Sequence, residues 1–268
     1  MALSEENQSQ LKRQLPKVAT RAAIRFLVES LRLEEFRGFM FWVGLQDAET
    51  GLKYYEDVKR RASTSPAASE MLRVIAREEI ETAHTFRYHS PLLAEMVMLR
   101  MADNYLTYLS ELLTTAFLAR PEMLKSGEQV RIDFVLQHAT MSDLVASLAE
   151  RKVDRLSYIG MEDLAAYFGD ELKLPLFSSD GDLARAIRII ETRNIIVHNR
   201  GVVNDRYRKR VHGSTLPVGE RVVLNTGDEQ DASFFLADAA YNLDTRAIAK
   251  YKLEALPLGP VGDQKPSA

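Results

Sequence analysis

No cysteine occurs in the 268 residues. That excludes disulfides, thiolate metal ligands and a cysteine nucleophile, and it fits a reducing compartment. Neither charge dominates: 35 Lys and Arg stand against 38 Asp and Glu, a formal net charge of -3. The chain is therefore no polycation, and any contact with nucleic acid has to come from a local basic patch. The longest apolar run lies near Gly38 to Leu45, far short of the roughly 20 residues a spanning helix needs. Met1 to Gln10 is polar and acidic and has no apolar segment of the secretory kind. The expectation is a cytoplasmic protein without membrane contact. There is no glycine-rich phosphate loop, no carboxylate pair at metal spacing and no nucleophile elbow. ATPase and serine-hydrolase chemistry thus have no support, and no cofactor or metal is expected.

What the chain does have is helical periodicity. Apolar residues recur at helical spacing from Lys17 to about Leu45, through Ala23, Phe26, Leu27 and Leu31. Trp42, with Phe39 and Phe41, reads equally as core or as an exposed partner surface. Asp47 opens a charged helix through Arg61. The break at Ser63-Thr-Ser-Pro66 marks a domain boundary, leaving residues 1–66 as an N-terminal helical segment. A helix from Ala67 to Tyr88 precedes a long one with Pro91 at its first position and Arg120-Pro121 at its end. Its apolar stripe includes Leu92, Met96, Leu99, Met101, Tyr105, Leu112 and Phe117. Val130 to Leu136 fits a short strand or a helical turn. Further helices are expected from Ser142, as cap, to Tyr158, from Met161 to Leu172, from Asp182 to Asn199, and from Asp231 to Leu253. Arg221-Val-Val-Leu224 reads as a strand and Thr226-Gly-Asp as a turn. The fold class is all-α, a helical bundle over residues 67–254 with at most one or two short strands near 220–225. Residues 255–268, rich in Pro and Gly, are expected to be a disordered tail.

The helix from Asp182 to Asn199 carries the chemistry. Leu183, Ile187, Ile190 and Val197 are set to face the core, and Arg193, Asn194 and His198 interrupt the pattern near its end. At roughly 100° per residue, Asn194 and His198 share a face and Arg193 lies about 140° from His198. These groups suit cleavage of RNA by its own 2′-hydroxyl. Histidine titrates near neutrality and serves as base or acid. Arginine stays charged and matches a phosphate with its planar fork. Asn194 is placed to orient a phosphate oxygen or the imidazole, and no metal is required.

The string Arg193-Asn194-Ile-Ile-Val-His198-Asn199-Arg200-Gly201 resembles the signature of HEPN domains: an arginine, four to six residues, then a histidine, often with a polar residue after the arginine. The flanks resemble one branch, the RiboL-PSP-type HEPN proteins of bacteria, through Val203-Asn204-Asp205-Arg206-Tyr207 and through Leu156-Ser157-Tyr158-x-Gly160 to Leu176-Phe177. The resemblance covers roughly Pro91 to Leu224. It implies a HEPN-like bundle of four or five helices and a homodimer whose active site forms from both copies of the motif. It also implies a metal-independent endoribonuclease of a toxin-antitoxin, abortive-infection or antiviral defence system, with an antitoxin or defence-system protein as partner. The other outcome within the family is a non-catalytic dimer that binds RNA or a partner. Residues 1–66 then become a candidate sensor for a trigger or an antitoxin. Some HEPN toxins carry a modified tyrosine two positions after the histidine. Arg200 stands there in this chain, so that control is not expected.

In this reading Arg193, Asn194 and His198 are catalytic. Glu191 supports the motif as a partner of Arg193, and Asn199 and Gly201 close the helix and aim His198. The dense basic run Arg200, Arg206, Arg208, Lys209, Arg210 and His212 is either a solvated segment, as most charge runs are, or a track for the RNA backbone. Its place beside the motif in a slightly acidic protein favours the track. Asp103, Asn104 and Glu111 read as solvent-facing. His84, His89 and His138 show no metal-ligand spacing and read as structural, and Met96, Met98 and Met101 read as core.

Overall fold

The computed structural model describes residues 17–46, 82–125 and 129–258. Its helices, in chain order, are α1 (Arg21–Gln46), α2 (Thr82–Ala119), α3 (Ile132–Leu136), α4 (Met141–Ser157), α5 (Met161–Asp170), α6 (Asp180–Asn199), α7 (Asp205–Arg210) and α8 (Thr226–Tyr251). A 3₁₀ turn, Pro121–Leu124, follows α2. The fold is all-α. The helix expected from Asp47 to Arg61, the break at Pro66, most of the helix expected from Ala67, and the side chains of His84, Phe41 and Trp42 lie outside the described residues.

The helix α2 is the axis of the bundle, because apolar residues cover most of its circumference. Met98, Met101, Ala102, Tyr105, Leu109, Leu112 and Phe117 are buried on overlapping rows. α1 and α8 pack on one side of it, and α4 and α6 on others. Phe26 of α1 lies fully buried, with ring centroids 6.3 Å from Tyr105 and 5.5 Å from Tyr108. The Tyr108 hydroxyl donates to the Ala240 carbonyl of α8 at 2.9 Å. Thr20, at the start of α1, donates from its backbone N–H and its hydroxyl to the buried Asp244 of α8. Burial pushes the Asp244 pKa up, and these hydrogen bonds pull it back.

The ends of the helices follow from local chemistry. Thr140 and Asp143 form a capping box at the start of α4, so the cap is Thr140 and not Ser142. Ser179 caps α6 by accepting from the Asp182 N–H. Asn225 and Asp228 form another capping box, which makes Thr226-Gly-Asp the first turn of α8 instead of a free turn. Val130 to Leu136 contains α3 and no strand.

Three further expectations are corrected. α2 runs straight through Pro91 instead of starting there. A proline inside a helix costs about 3 kcal/mol. The buried side chains of Leu93, Val97 and Met98 just beyond it are worth about 1.5–3 kcal/mol each and outweigh that cost. Arg221 to Leu224 makes one isolated antiparallel bridge, Val202 to Arg221, and no strand. The two-stranded sheet lies elsewhere: β1 (Val18–Ala19) pairs antiparallel with β2 (Leu256–Pro257). The first residues of the expected tail are thus ordered against the other end of the chain. Ala19, Ala22, Ala23 and Phe26 also belong to the same core as α2, α6 and α8, so the described part of the N-terminal segment is built into the bundle.

Glu229 of α8 is buried beneath α1. One carboxylate oxygen lies 3.7 Å from Nε of Arg37, and the other has no hydrogen-bond partner among the described residues. Burial raises its pKa from 4.5 to about 7, and Arg37 opposes that rise. A carboxyl with a raised folded pKa binds its proton more tightly in the native state. Its ionisation therefore lowers stability progressively as pH rises from about 4.5 to about 7. Glu229→Gln is expected to remove this loss and to exceed wild type at pH 8 by on the order of 2 kcal/mol. Urea titrations of both proteins at pH 5 and pH 8 measure it. Equal pH dependence of the two would refute it.

Candidate active site

The motif occupies the last two turns of α6. Ile187, Ile189, Ile190 and Ile195 are buried and fix the helix against the bundle, whereas Val197 is exposed at 48%. Val197 lies on nearly the same face as Ile190, so the exposure is a matter of position along the helix. His198 is exposed as well, and no described residue holds its imidazole by a hydrogen bond.

A cleft of about 480 Å³ opens here between α2, α4, α6 and α7. Arg193, Asn194 and His198 all line it, although Arg193 and His198 are separated on the helical wheel. Arg193 is oriented from α2. Its Nε donates to Asp103 Oδ1 at 2.7 Å, Nη2 lies 2.7 Å from the same oxygen, and Nη1 donates to Asn194 Oδ1 at 3.1 Å. The Asn194 amide nitrogen is left for other partners. Asp103, read as solvent-facing, has a side chain that is 39% exposed and also anchors the motif arginine. Its neighbour Asn104 donates to the Phe26 carbonyl and to Ser30 of α1. Glu111 pairs with Arg25 at the surface.

Glu191 does not pair with Arg193. It is buried two residues earlier, and its carboxylate accepts from Arg210 of α7 at 2.7 Å. That bond raises the pKa of Arg210 above its ordinary value. Gly160 makes room for the pair, since a Cβ there would stand 2.9 Å from a guanidinium nitrogen of Arg210. Asn199 donates to the Val202 carbonyl at 2.6 Å. Arg200 itself takes the left-handed C-cap conformation, at φ 53°, and Gly201 follows at φ +76° beneath the side chain of Arg221. Arg221 in turn reaches the buried carboxylate of Glu95 on α2 at 3.1 Å. The segment read as a strand thus acts as a strap that holds the exit of the motif helix.

The basic run is divided between the cleft and the outer surface. It folds into the short helix α7, capped by Asn204, which accepts from the Tyr207 N–H. Arg206 and Arg210, one turn apart, face the cleft, while Arg200, Arg208, Lys209 and His212 are exposed elsewhere. Arg208 is spent on the Leu216 carbonyl. Arg206 is exposed and has no carboxylate partner among the described residues. His138 is held by the Phe134 carbonyl and Ser147, and Met96 is exposed while Met98 and Met101 are core.

The chain matches no family model, no curated protein and no solved structure. What the site can do is therefore argued from its own groups. Among the described residues, the cleft offers an exposed imidazole, a guanidinium held by Asp103, an amide nitrogen and an arginine without a carboxylate partner, together with leucine, isoleucine and methionine side chains. Among the described residues no helix is long and apolar enough to cross a membrane, and no group of three or more His, Asp or Glu is placed to hold a metal ion.

The two cleft-facing arginines of α7 are expected to respond differently to removal. Arg210→Ala leaves the Glu191 carboxylate buried and unpaired, at about 2 kcal/mol. Arg206→Ala touches no internal partner, should leave the melting temperature unchanged, and should weaken anion binding in the cleft. Thermal melts of both variants beside wild type distinguish the roles. Equal stability of the two would contradict the assignment of Arg210 as structural.

Proposed function

We propose that the cleft is the active site of a metal-independent endoribonuclease of HEPN type, acting in a bacterial defence or toxin system. The reading rests on one observation above all: an exposed, unheld imidazole shares a cleft with an arginine that α2 has already oriented. His198 removes the proton of the 2′-hydroxyl, whose oxygen attacks the adjacent phosphorus. The 5′-oxygen leaves with a proton from an acid, giving a 2′,3′-cyclic phosphate and a 5′-hydroxyl. Arg193 and the Asn194 amide hold the phosphorane oxygens, and the free charge of Arg206 draws the strand to the cleft. One cleft holds one imidazole, whereas the reaction uses a base and an acid. The homodimer that the HEPN resemblance implies would bring His198 of a second copy as the other group.

The Asp103 contact also favours a second reading. A guanidinium neutralised by a carboxylate at 2.7 Å offers a phosphate less than a free one does. The site then belongs to a non-catalytic dimer that binds RNA or a partner. The test is incubation of the purified protein with total RNA and with tRNA in EDTA, wild type beside His198→Ala. Cleavage by wild type alone, leaving 2′,3′-cyclic phosphate ends, supports the nuclease. Retained RNA binding by both, with cleavage by neither, supports the binding module.

A further inference from the structure

A second pair of chemically matched groups lies where the connection from α3 to α4 meets α4. His138 Nε2 and Ser147 Oγ are 2.7 Å apart, and His138 Nδ1 is 2.8 Å from the Phe134 carbonyl oxygen. Neither residue lines the cleft at the end of α6. A carbonyl oxygen only accepts, so Nδ1 carries the proton of the neutral ring. Nε2 then presents a lone pair, and the Ser147 hydroxyl donates to it. A hydroxyl aimed at an imidazole, whose other nitrogen is fixed by an acceptor, is the arrangement that activates a serine as a nucleophile.

The partner of this hydroxyl sets it apart. Inside a helix, serine and threonine hydroxyls readily bond the carbonyl one turn back. Ser110, Thr114 and Thr115 of α2 do so, and so does Ser157 of α4. Ser147, in the middle of α4, makes no such bond among the described residues and turns to the imidazole. Both side chains are half-buried, which leaves the pair open to a small molecule.

Arg151 follows Ser147 one turn later on the same face of α4. Its guanidinium carbon lies 4.6 Å from the centre of the Phe134 ring, whose centroid is 4.7 Å from that of His138. It has no carboxylate partner among the described residues. The backbone N–H groups around Ser147 are used inside α4, so the charge of Arg151 is what an oxyanion would meet. That favours esters with good leaving groups over amides. The segment that carries His138 also exposes Ile132, Leu136 and Met141, which suits an apolar acyl group.

We propose that Ser147 and His138 form a second catalytic site, which hydrolyses activated esters of a short apolar acid. Ser147 Oγ bonds to the acyl carbon while its proton passes to His138 Nε2. The bond from that carbon to the leaving alcohol breaks, and the alcohol departs with the proton. Water then attacks the acyl carbon, gives a proton to Nε2, and releases the acid as Ser147 recovers its own.

The test uses the full chain and a fluorophosphonate–rhodamine probe, which serine attacks at phosphorus with loss of fluoride. Gel fluorescence gives the rate of labelling, and mass spectrometry of the tryptic peptide Ile132–Arg151 gives the position. Wild type is expected to label at Ser147, Ser147→Ala and heat-denatured wild type to stay dark, and His138→Gln to label about 100-fold more slowly. Hydrolysis of p-nitrophenyl butyrate should fall in the same order. No side chain of α3 is buried, so both variants should keep the wild-type melting temperature. Ser142 lies on the same peptide and makes no hydrogen bond to a described imidazole, so it serves as an internal control. Labelling at Ser142, a wild-type rate for His138→Gln, or equal ester hydrolysis by wild type and Ser147→Ala overturns the site and leaves His138 as a clip between α3 and α4.

Discussion

His198→Ala is expected to abolish RNA cleavage, with a loss of about 10²–10⁴-fold, while the protein keeps its fold. The size follows from what general acid–base catalysis contributes when a positioned side chain moves the proton. Retention of the fold follows from the surroundings of the ring. It is exposed in the last turn of α6, and no described residue depends on it for a hydrogen bond. The buried residues Ile187, Ile190 and Ile195 hold that helix, and they remain. Single-turnover cleavage and a thermal melt, read on the same preparation, separate the two roles. A variant that loses helicity or solubility along with activity would make His198 a structural residue. A variant that cuts like wild type would remove it from the mechanism.

A chain that starts at Pro66 is expected not to fold. The truncation removes α1 and β1, and with them Ala22, Ala23 and Phe26 from the centre of the core. It strips β2 of its pairing strand and leaves the Asp244 carboxylate without Thr20. Phe26→Ala alone should cost about 3–5 kcal/mol and lower the melting temperature by roughly 10 °C. That is a large part of the total stability of a domain this size. Circular dichroism melts of the truncated chain and of Phe26→Ala check both. A truncated chain that melts cooperatively at the wild-type temperature would show that α1 is dispensable. The same loss means that low toxicity of a truncated chain in cells would report a missing core. It would not by itself reveal a regulatory N-terminus.

Much of the secondary structure was legible because its causes are local. Apolar spacing marks α6 and α8, and Ser179 starts α6, whereas α7 was read only as a basic segment. Where the reading slipped, long-range packing overrode a local signal. Pro91 looked like a helix start because its missing N–H is harmless there, yet the buried turns that follow carry the helix through it. Leu92 and Met96 looked like stripe residues, but among the described residues both are 53% exposed. Arg221 to Leu224 has the composition of a strand, yet it has no partner long enough to form a ladder.

The site divides in the same way. By itself the sequence determined that Arg193, Asn194 and His198 close one helix, because residues within two turns are tied by helix geometry. It also placed a basic segment directly behind them. Only the tertiary structure decided which of those charges are free. Asp103, 90 positions before Arg193, takes up the motif arginine. Glu191 takes up Arg210, while Arg206 of the cleft has no carboxylate partner among the described residues. The reason is physical: a charge acts according to what stands within a few ångströms of it. In a helical bundle most of those neighbours come from other helices, whose distance along the chain carries no trace of the contact.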